Sequence, residues 1–262
     1  MSDQSLILAL DQGTSSSRAI LFDRAGNVHG LAQRPIASSY PHPGWVEQDA
    51  GEILDTTLAV GRTVLAETGI APARVAAVAI ANQRETTVIW DRRTGRPVAP
   101  AIVWQSRQSQ PLVDAIIARG MASEYERITG LVPDAYFSAT KIAWLLERLP
   151  DLRPLAERGD VLFGTVETWL LWNLANGAIH ATDAANASRT MLLDLHSGAW
   201  SEPLLEDLRI PPAMLPRVIA NSGPLAEIDA RHFGRALPLT GMAGDQQAAL
   251  FGQACFAPGQ AK

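Results

Sequence analysis

Asp11 ends an apolar run, Ile7–Leu10, and is followed by Gln12, Gly13 and four hydroxyl residues in a row, Thr14, Ser15, Ser16 and Ser17. The chain then returns as a second apolar run, Ala19–Phe22. A carboxylate at a strand end suits hydrated Mg²⁺, which keeps several waters and needs few carboxylates. Gly13 allows the backbone to approach an anion, and successive turn N–H groups form anion-binding concavities. Thr14, Ser15 and Ser16 add hydroxyl donors. The stretch therefore suits a phosphate held beside a magnesium ion. Taken by itself it suits an ordinary polar hairpin turn equally well, because such a motif gains meaning from its context.

Four further clusters carry chemistry. Asn82-Gln83-Arg84-Glu85-Thr86-Thr87 follows an apolar run of buried-strand type. Arg84 offers only donors and Glu85 only acceptors, a combination that binds neighbouring hydroxyls of a polyol; a local ion pair is the plainer alternative. Trp104, in Ile102-Val103-Trp104-Gln105, could wall off the carbon face of a small substrate or be one of several core tryptophans, the chain having 7. Tyr136, in Asp134-Ala135-Tyr136-Phe137-Ser138, could offer its hydroxyl to a ligand or stack in the core. In Gly241-Met242-Ala243-Gly244-Asp245-Gln246-Gln247 a carboxylate falls between a strand and a helix. Asp245 there could face a cleft, cap the helix, or do both.

The elements that must position these residues read as follows. Leu6–Leu10, Ala19–Phe22 and Val28–Gln33 predict a β-meander. A Pro/Gly loop, 41–45, precedes a helix from Asp49 to about Glu67, where Asp49 and Glu52 have the spacing of a capping box. Val75–Ile80 predicts a buried strand, and Thr86–Trp90 with Ala101–Trp104 a second hairpin around Arg92-Arg93-Thr94-Gly95. Helices follow at Pro111–Ala118, Ser123–Thr129 and Ser138–Leu149, the last with Ser138 as N-cap. Val161–Gly164 is a short apolar run, Glu167–Ala175 a helix with one apolar side, Leu237–Thr240 a late strand, and Gln246–Gln253 an apolar helix. Hairpins first and strand–helix alternation later predict an α/β fold, a mixed sheet flanked by helices. No repeat, low-complexity tract or linker is evident, and Pro258–Lys262 reads as a cut at a domain edge.

The 262 residues are 47% hydrophobic and 19% charged, with a net charge of -5. That is the composition of a compact globular protein and not of a disordered one. The mild acidity and lack of a basic stripe argue against nucleic acid as a partner. Cys255 is the one cysteine, so no internal disulfide forms and a reducing, cytoplasmic setting is expected. Met1–Ser5 has no basic leader character, and Leu6–Leu10 is too short for a membrane span.

Together these segments resemble the glycerol-kinase branch of the FGGY sugar-kinase family. The resemblance runs through Leu10-Asp11-Gln12-Gly13-Thr14, Pro43-Gly44-Trp45-Val46-Glu47, Asn82-Gln83-Arg84-Glu85-Thr86 and Ala101-Ile102-Val103-Trp104-Gln105. It continues through Phe163-Gly164-Thr165-Val166, Thr182-Asp183, Asn186-Ala187-Ser188-Arg189-Thr190-Met191-Leu192 and the segment 244–253. The Asn-Gln-Arg-Glu-Thr string is the specific part, since pentulose kinases carry a Met-His-Gly type sequence there.

The resemblance implies a ribonuclease-H-like domain of the actin-like ATPase superfamily, residues 1–255, with 256–262 beginning the connection to a second, adenosine-binding domain that lies outside this chain. It implies ATP-dependent phosphorylation of glycerol to sn-glycerol 3-phosphate, with MgATP as co-substrate. Asp245 would be the base; Arg84, Glu85, Trp104, Tyr136, Asp245 and Gln246 would hold the polyol. Thr14, Ser15, Ser16 and Arg18 would meet the phosphates, and Asp11 with Asp245 would hold Mg²⁺. Oligomerisation of the full-length protein is expected. The segment 231–235 lacks the Gly-Gly-Thr-Arg loop through which some members bind fructose 1,6-bisphosphate, so no such inhibition is expected. Other bacterial members carry, in this segment, a histidine phosphorylated by the sugar phosphotransferase system; His232 could be that residue, although an ordinary surface histidine is the simpler reading.

Overall fold

The computed structural model describes residues 5–262; the leader reading made on the first four residues lies outside them. The chain opens as the expected meander, β1 (Leu6–Gln12), β2 (Ser16–Phe22) and β3 (Val28–Pro35). Its strands pair antiparallel with Leu10 opposite Ala19 and Ile20 opposite Leu31. Leu6, Leu8, Leu10 and Gln12 all turn to the buried side, as the two-residue period of a strand requires. After the two-residue β4 (Glu47–Gln48), α1 (Ala50–Thr68) crosses the sheet and lays Ile53, Val60 and Val64 on it. Helix and sheet approach closely at Gly30, where a Cβ would come within 2.3 Å of Thr68 Cγ2. Asp49 caps α1 by accepting from Gly51 N at 2.7 Å. The capping box does not close, because Glu52 Oε1 instead accepts from Ala37 N at 3.3 Å.

β5 (Val75–Asn82) returns parallel to β1. β6 (Val88–Asp91) and β7 (Ala101–Ile102) correct the second hairpin: single bridges join its limbs, Thr87 to Ile102 and Trp90 to Pro97. β7 pairs with β4, and β6 takes its full ladder from a later strand. Pro97 and Pro100 on the returning limb carry no N–H and interrupt a ladder there.

A helical layer follows, α2 (Gln110–Ala118), α3 (Ala122–Thr129), α4 (Ser138–Arg148) and α5 (Leu152–Glu157), around a second core that includes Tyr125, Ile142, Leu146 and Phe163. Ser138 is the first residue of α4 and not its cap; its hydroxyl donates to Glu85 O at 3.0 Å. β8 (Val161–Gly164) is the antiparallel partner of β6. α6 (Val166–Leu174) is buried on nearly every side, in place of the one-sided helix expected, because it is sandwiched between strands.

The remaining elements are β9 (Ala181–Asp183), α7 (Ala184–Ala187), β10 (Leu193–Asp194), β11 (Ala199–Trp200), α8 (Glu202–Asp207), β12 (Arg217–Ile219), β13 (Ser222–Ile228), α9 (Ala230–Phe233), β14 (Leu237–Gly244) and α10 (Asp245–Gly252). β13 hides in the sequence because Gly223-Pro224 reads as a turn; an edge position tolerates both. The six-stranded sheet runs β13-β14-β5-β1-β2-β3. β14, β5 and β1 pair in parallel and the remaining pairings are antiparallel, which is the expected mixed sheet with helices about it.

Candidate functional site

The three parallel strands end level with one another. Gln12 is in register with Asn82, and Asn82 with Gly244. Asp11, the last residue but one of β1, thus lies with the Gln83–Glu85 segment and Asp245 at one edge of the sheet, at the carboxyl ends of parallel strands, where α/β sheets bind ligands.

Buried amides hold the hydroxyl hairpin to that edge. Gln83 Nε2 donates to Gln12 Oε1 at 3.1 Å and to Gln48 Oε1 at 3.0 Å. Gln48 Nε2 donates to Thr14 O at 2.6 Å, Gln12 Nε2 to Gly13 O at 2.7 Å, and Gly13 N closes the turn on Ser16 O at 2.9 Å. The hairpin reading and the phosphate-loop reading of this stretch are thus compatible. Sequence reasoning missed the three glutamines, whose signal is only that they are amides beside strand ends.

Arg84, Glu85, Trp104, Tyr136, Asp245 and Gln246 converge on one cavity of about 120 Å³, with Thr14 and Gln83 completing its lining. That is well under the roughly 300–1,000 Å³ of pockets for drug-sized ligands, so the occupant must be small. Trp104 forms one wall, its ring 5.3 Å from that of Tyr136, and its Nε1 donates to Thr14 Oγ1 at 2.8 Å. Arg84 Nε lies 3.4 Å from Asp245 Oδ1, so Arg84 and Glu85 do not form the local ion pair. Gly244 makes room for this arm: a Cβ there would sit 2.5 Å from Arg84 Cδ. Asp245 is the first residue of α10 and not its cap; its Oδ1 accepts from Gln246 N at 2.7 Å.

Glu85 is 1% exposed and takes a positive φ of 60°, unusual for a residue with a side chain. Burial pushes its carboxyl above the ordinary range, while Arg189, Arg84 and Lys141 pull it back. Burial, reinforced by the Glu85 charge, likewise raises the Tyr136 phenol.

Ser15, Ser16 and Arg18 stand on the hairpin away from the cavity. Ser15 is exposed at the tip, Ser16 Oγ accepts from Gln33 Nε2 at 2.9 Å, and Arg18 lies 3.8 Å from Asp11. Arg18 Nε is buried without a protein partner. Asp11 is raised by burial and by the charge of Asp245, with Arg18 opposing. Among the described residues no group of three or more His, Cys, Asp or Glu side chains suits a metal ion. Mg²⁺ held by one or two carboxylates, waters and substrate phosphates needs no such group. Asp11 and Asp245, two carboxylates near enough to feel each other, fit that requirement.

Behind the site lies a buried polar network. Asn82 and Asn186 exchange side-chain bonds of 2.9 and 3.0 Å. Asn82 also donates to Glu167 Oε2 at 3.1 Å, and Glu167 Oε1 accepts from Thr165, Thr168 and Thr182. Burial next to Asp183 pushes Glu167 up to about 7. His232 is half-buried on α9, its Nε2 3.2 Å from Asn173 O and its ring beside Phe233.

The model described as the FGGY family of carbohydrate kinases, N-terminal domain, matches residues 6–252. A glycerol kinase of Bordetella parapertussis is 54% identical over 262 residues, which is 100% of this chain and 52% of the relative. A glycerol kinase of Aromatoleum aromaticum is 55% identical over 98% of this chain and 52% of its own length. The structure of Plasmodium falciparum glycerol kinase with ADP superposes with a TM-score of 0.91 at 32% identity, over 96% of this chain and 51% of that one. Xylulose kinase from Rhodospirillum rubrum shares the fold, with a TM-score of 0.88 at 24% identity over 97% of this chain and 52% of its own. This chain spans about half the length of the curated relatives it matches. The neighbours bear out the expected actin-like ATPase fold. The chain belongs to the FGGY family of carbohydrate kinases, and what it carries is that family's N-terminal domain.

Proposed function

We propose that this chain is the polyol- and phosphate-binding part of an ATP-dependent glycerol kinase that forms sn-glycerol 3-phosphate. The observation that carries the reading is the convergence of Arg84, Glu85, Trp104, Tyr136, Asp245 and Gln246 on one small cavity beside the hydroxyl hairpin. Arg84 donates to glycerol hydroxyls, Glu85 accepts from one, Tyr136 and Gln246 complete the set, and Trp104 lies along the carbon chain. Asp245 accepts the proton of the terminal hydroxyl as it attacks the γ-phosphate in line. Phosphoryl transfer depends on such positioning and on charge stabilisation. Thr14, Ser15, Ser16 and Arg18 receive the phosphates, and Asp11 with Asp245 holds Mg²⁺, which when bound neutralises phosphate charge.

The relatives' additional length supports placing the adenosine site in a second domain, with residues 256–262 leading to it from a domain that ends near 255. A cytoplasmic setting accords with the single cysteine. We extend the proposal to a homo-oligomer in the full-length protein, and to a phosphotransferase contact at His232, for which the exposed Arg231 beside it on α9 is the support.

The test measures ADP release by this chain, and by the chain joined to the C-terminal half of a curated relative, with and without glycerol. Glycerol-dependent release from the joined protein is expected. Glycerol-independent release would mark an ATP switch and overturn the reading. A second reading, a glycerol-binding fragment inactive alone, is favoured by the chain's spanning about half its relatives. It predicts glycerol binding by the chain without ADP release.

A further inference from the structure

Arg189 lies outside the cavity lining yet touches two of the groups that form it. Its Nε donates to Glu85 Oε1 at 2.7 Å, and its guanidinium carbon lies 5.7 Å from the centre of the Tyr136 ring and 4.9 Å from that of Phe137. A planar guanidinium can bond a carboxylate and cover an aromatic face at once, which an ammonium does poorly. Arg189 follows α7, whose Asn186 is locked to Asn82 at the end of β5 by reciprocal amide bonds. The arginine is therefore anchored to the same strand end that delivers Gln83, Arg84 and Glu85.

The neighbouring cations are committed elsewhere. Arg84 pairs with Asp245, and Lys141 Nζ donates to Ala135 O at 2.8 Å, to Phe137 O at 3.1 Å and to Tyr136 O. Arg189 thus makes the hydrogen-bonded ion pair of a carboxylate that burial would otherwise neutralise. That bond engages one carboxylate oxygen and leaves acceptor capacity for a hydroxyl.

We propose that Arg189 is the positioning residue of the polyol site: it aims the Glu85 carboxylate and fixes the Tyr136 ring, so that both meet glycerol as one rigid unit. The proposal rests on the glycerol reading above. Arg189 touches no substrate itself; its action passes through Glu85 and Tyr136.

The test titrates glycerol calorimetrically into this chain, wild type, Arg189→Met and Arg189→Lys, at mildly acid, neutral and mildly alkaline pH. Arg84, Arg189 and Lys141 face Glu85 beside the Tyr136 phenol, so each variant is compared with wild type at the same pH. Arg189→Met is expected to bind about 10- to 100-fold more weakly at acid pH, because an unpaired buried carboxylate protonates. Its deficit should shrink as pH rises and Glu85 ionises, which a merely structural loss would not do. Arg189→Lys keeps the charge and should recover part of the affinity at neutral pH. Wild-type affinity in both variants, or a deficit in Arg189→Met equal at every pH, overturns the proposal. Should Arg189→Met fail to fold, as judged by thermal unfolding, Arg189→Lys carries the test: affinity equal to wild type then overturns it. Absence of glycerol binding by wild type would instead defeat the glycerol reading. The ¹³C carboxyl signal of Glu85, followed against pH without glycerol, still decides the positioning role: a higher midpoint in Arg189→Met is expected, and an unchanged one overturns it.

Discussion

The indole Nε1 of Trp104 donates to the hydroxyl of Thr14 at 2.8 Å. One wall of the small cavity is thereby tied to the hairpin that would carry the phosphates, so the two half-sites share a bond. Trp104→Phe keeps an aromatic wall and removes that donor. Glycerol affinity is expected to fall about fivefold to tenfold, the worth of one hydrogen bond of about 1 kcal/mol. Calorimetric titration of this chain reads it, and unchanged affinity would separate the wall from the hairpin.

In the proposed site Arg84, Glu85 and Tyr136 pair with the hydroxyls of glycerol. In the complete enzyme, 1,2-propanediol is expected to show a kcat/KM about 10⁴-fold lower, because the unmatched buried groups lose their partner. Comparable turnover of the two alcohols would remove the hydroxyl-pairing role of Arg84, Glu85 and Tyr136.

Asp245 sits at the mouth of the cavity with its side chain 40% exposed and Arg84 beside it. Asp245→Asn retains the shape and the contact to Gln246 N but takes no proton. Phosphorylation in the complete enzyme is expected to drop about 10²- to 10⁴-fold, the usual span for general base catalysis, with glycerol binding to this chain nearly unchanged. Near-normal turnover would exclude Asp245 as the base.

Glu167 gives the fold a pH slope of known sign. Folded, it keeps its proton up to about 7; unfolded, it releases it near 4.5. Between those values the folded chain holds more protons, so this residue's contribution to stability falls as pH rises from 4.5 to about 7. Glu167→Gln is neutral throughout and should lose that slope. Its stability relative to wild type, from urea midpoints, is therefore expected to improve on going from pH 4.5 to above 7. A difference constant across the range would show that Glu167 does not titrate there.

The local pattern was sufficient for much of this molecule. The two-residue alternation of β1 and the apolar run of β5 are visible as written, since a strand buries every second side chain or all of them. Helix ends were less legible. Asp49 does cap α1, but Ser138 and Asp245 are first helical residues, because each side chain is claimed by a partner distant in sequence or by the turn itself. The second hairpin was legible in part: its limbs meet at Thr87–Ile102 and Trp90–Pro97, but β6 takes its ladder from β8, 70 to 76 residues on, and no local signal announces that pairing.

Residue types and short spacing singled out Asp11, Arg84, Glu85, Trp104, Tyr136 and Asp245 as candidates, each with a structural alternative, and the family resemblance gave them their expected roles. The sequence could not say that Gln12, Asn82 and Gly244 stand level, that Arg189 lies against Glu85, or that three glutamines grip the hairpin. Those are relations between segments from 34 to 162 residues apart, set by strand register and by the burial that forces each polar group to find a partner. Composition carries no trace of them, and the folded sheet brings them together.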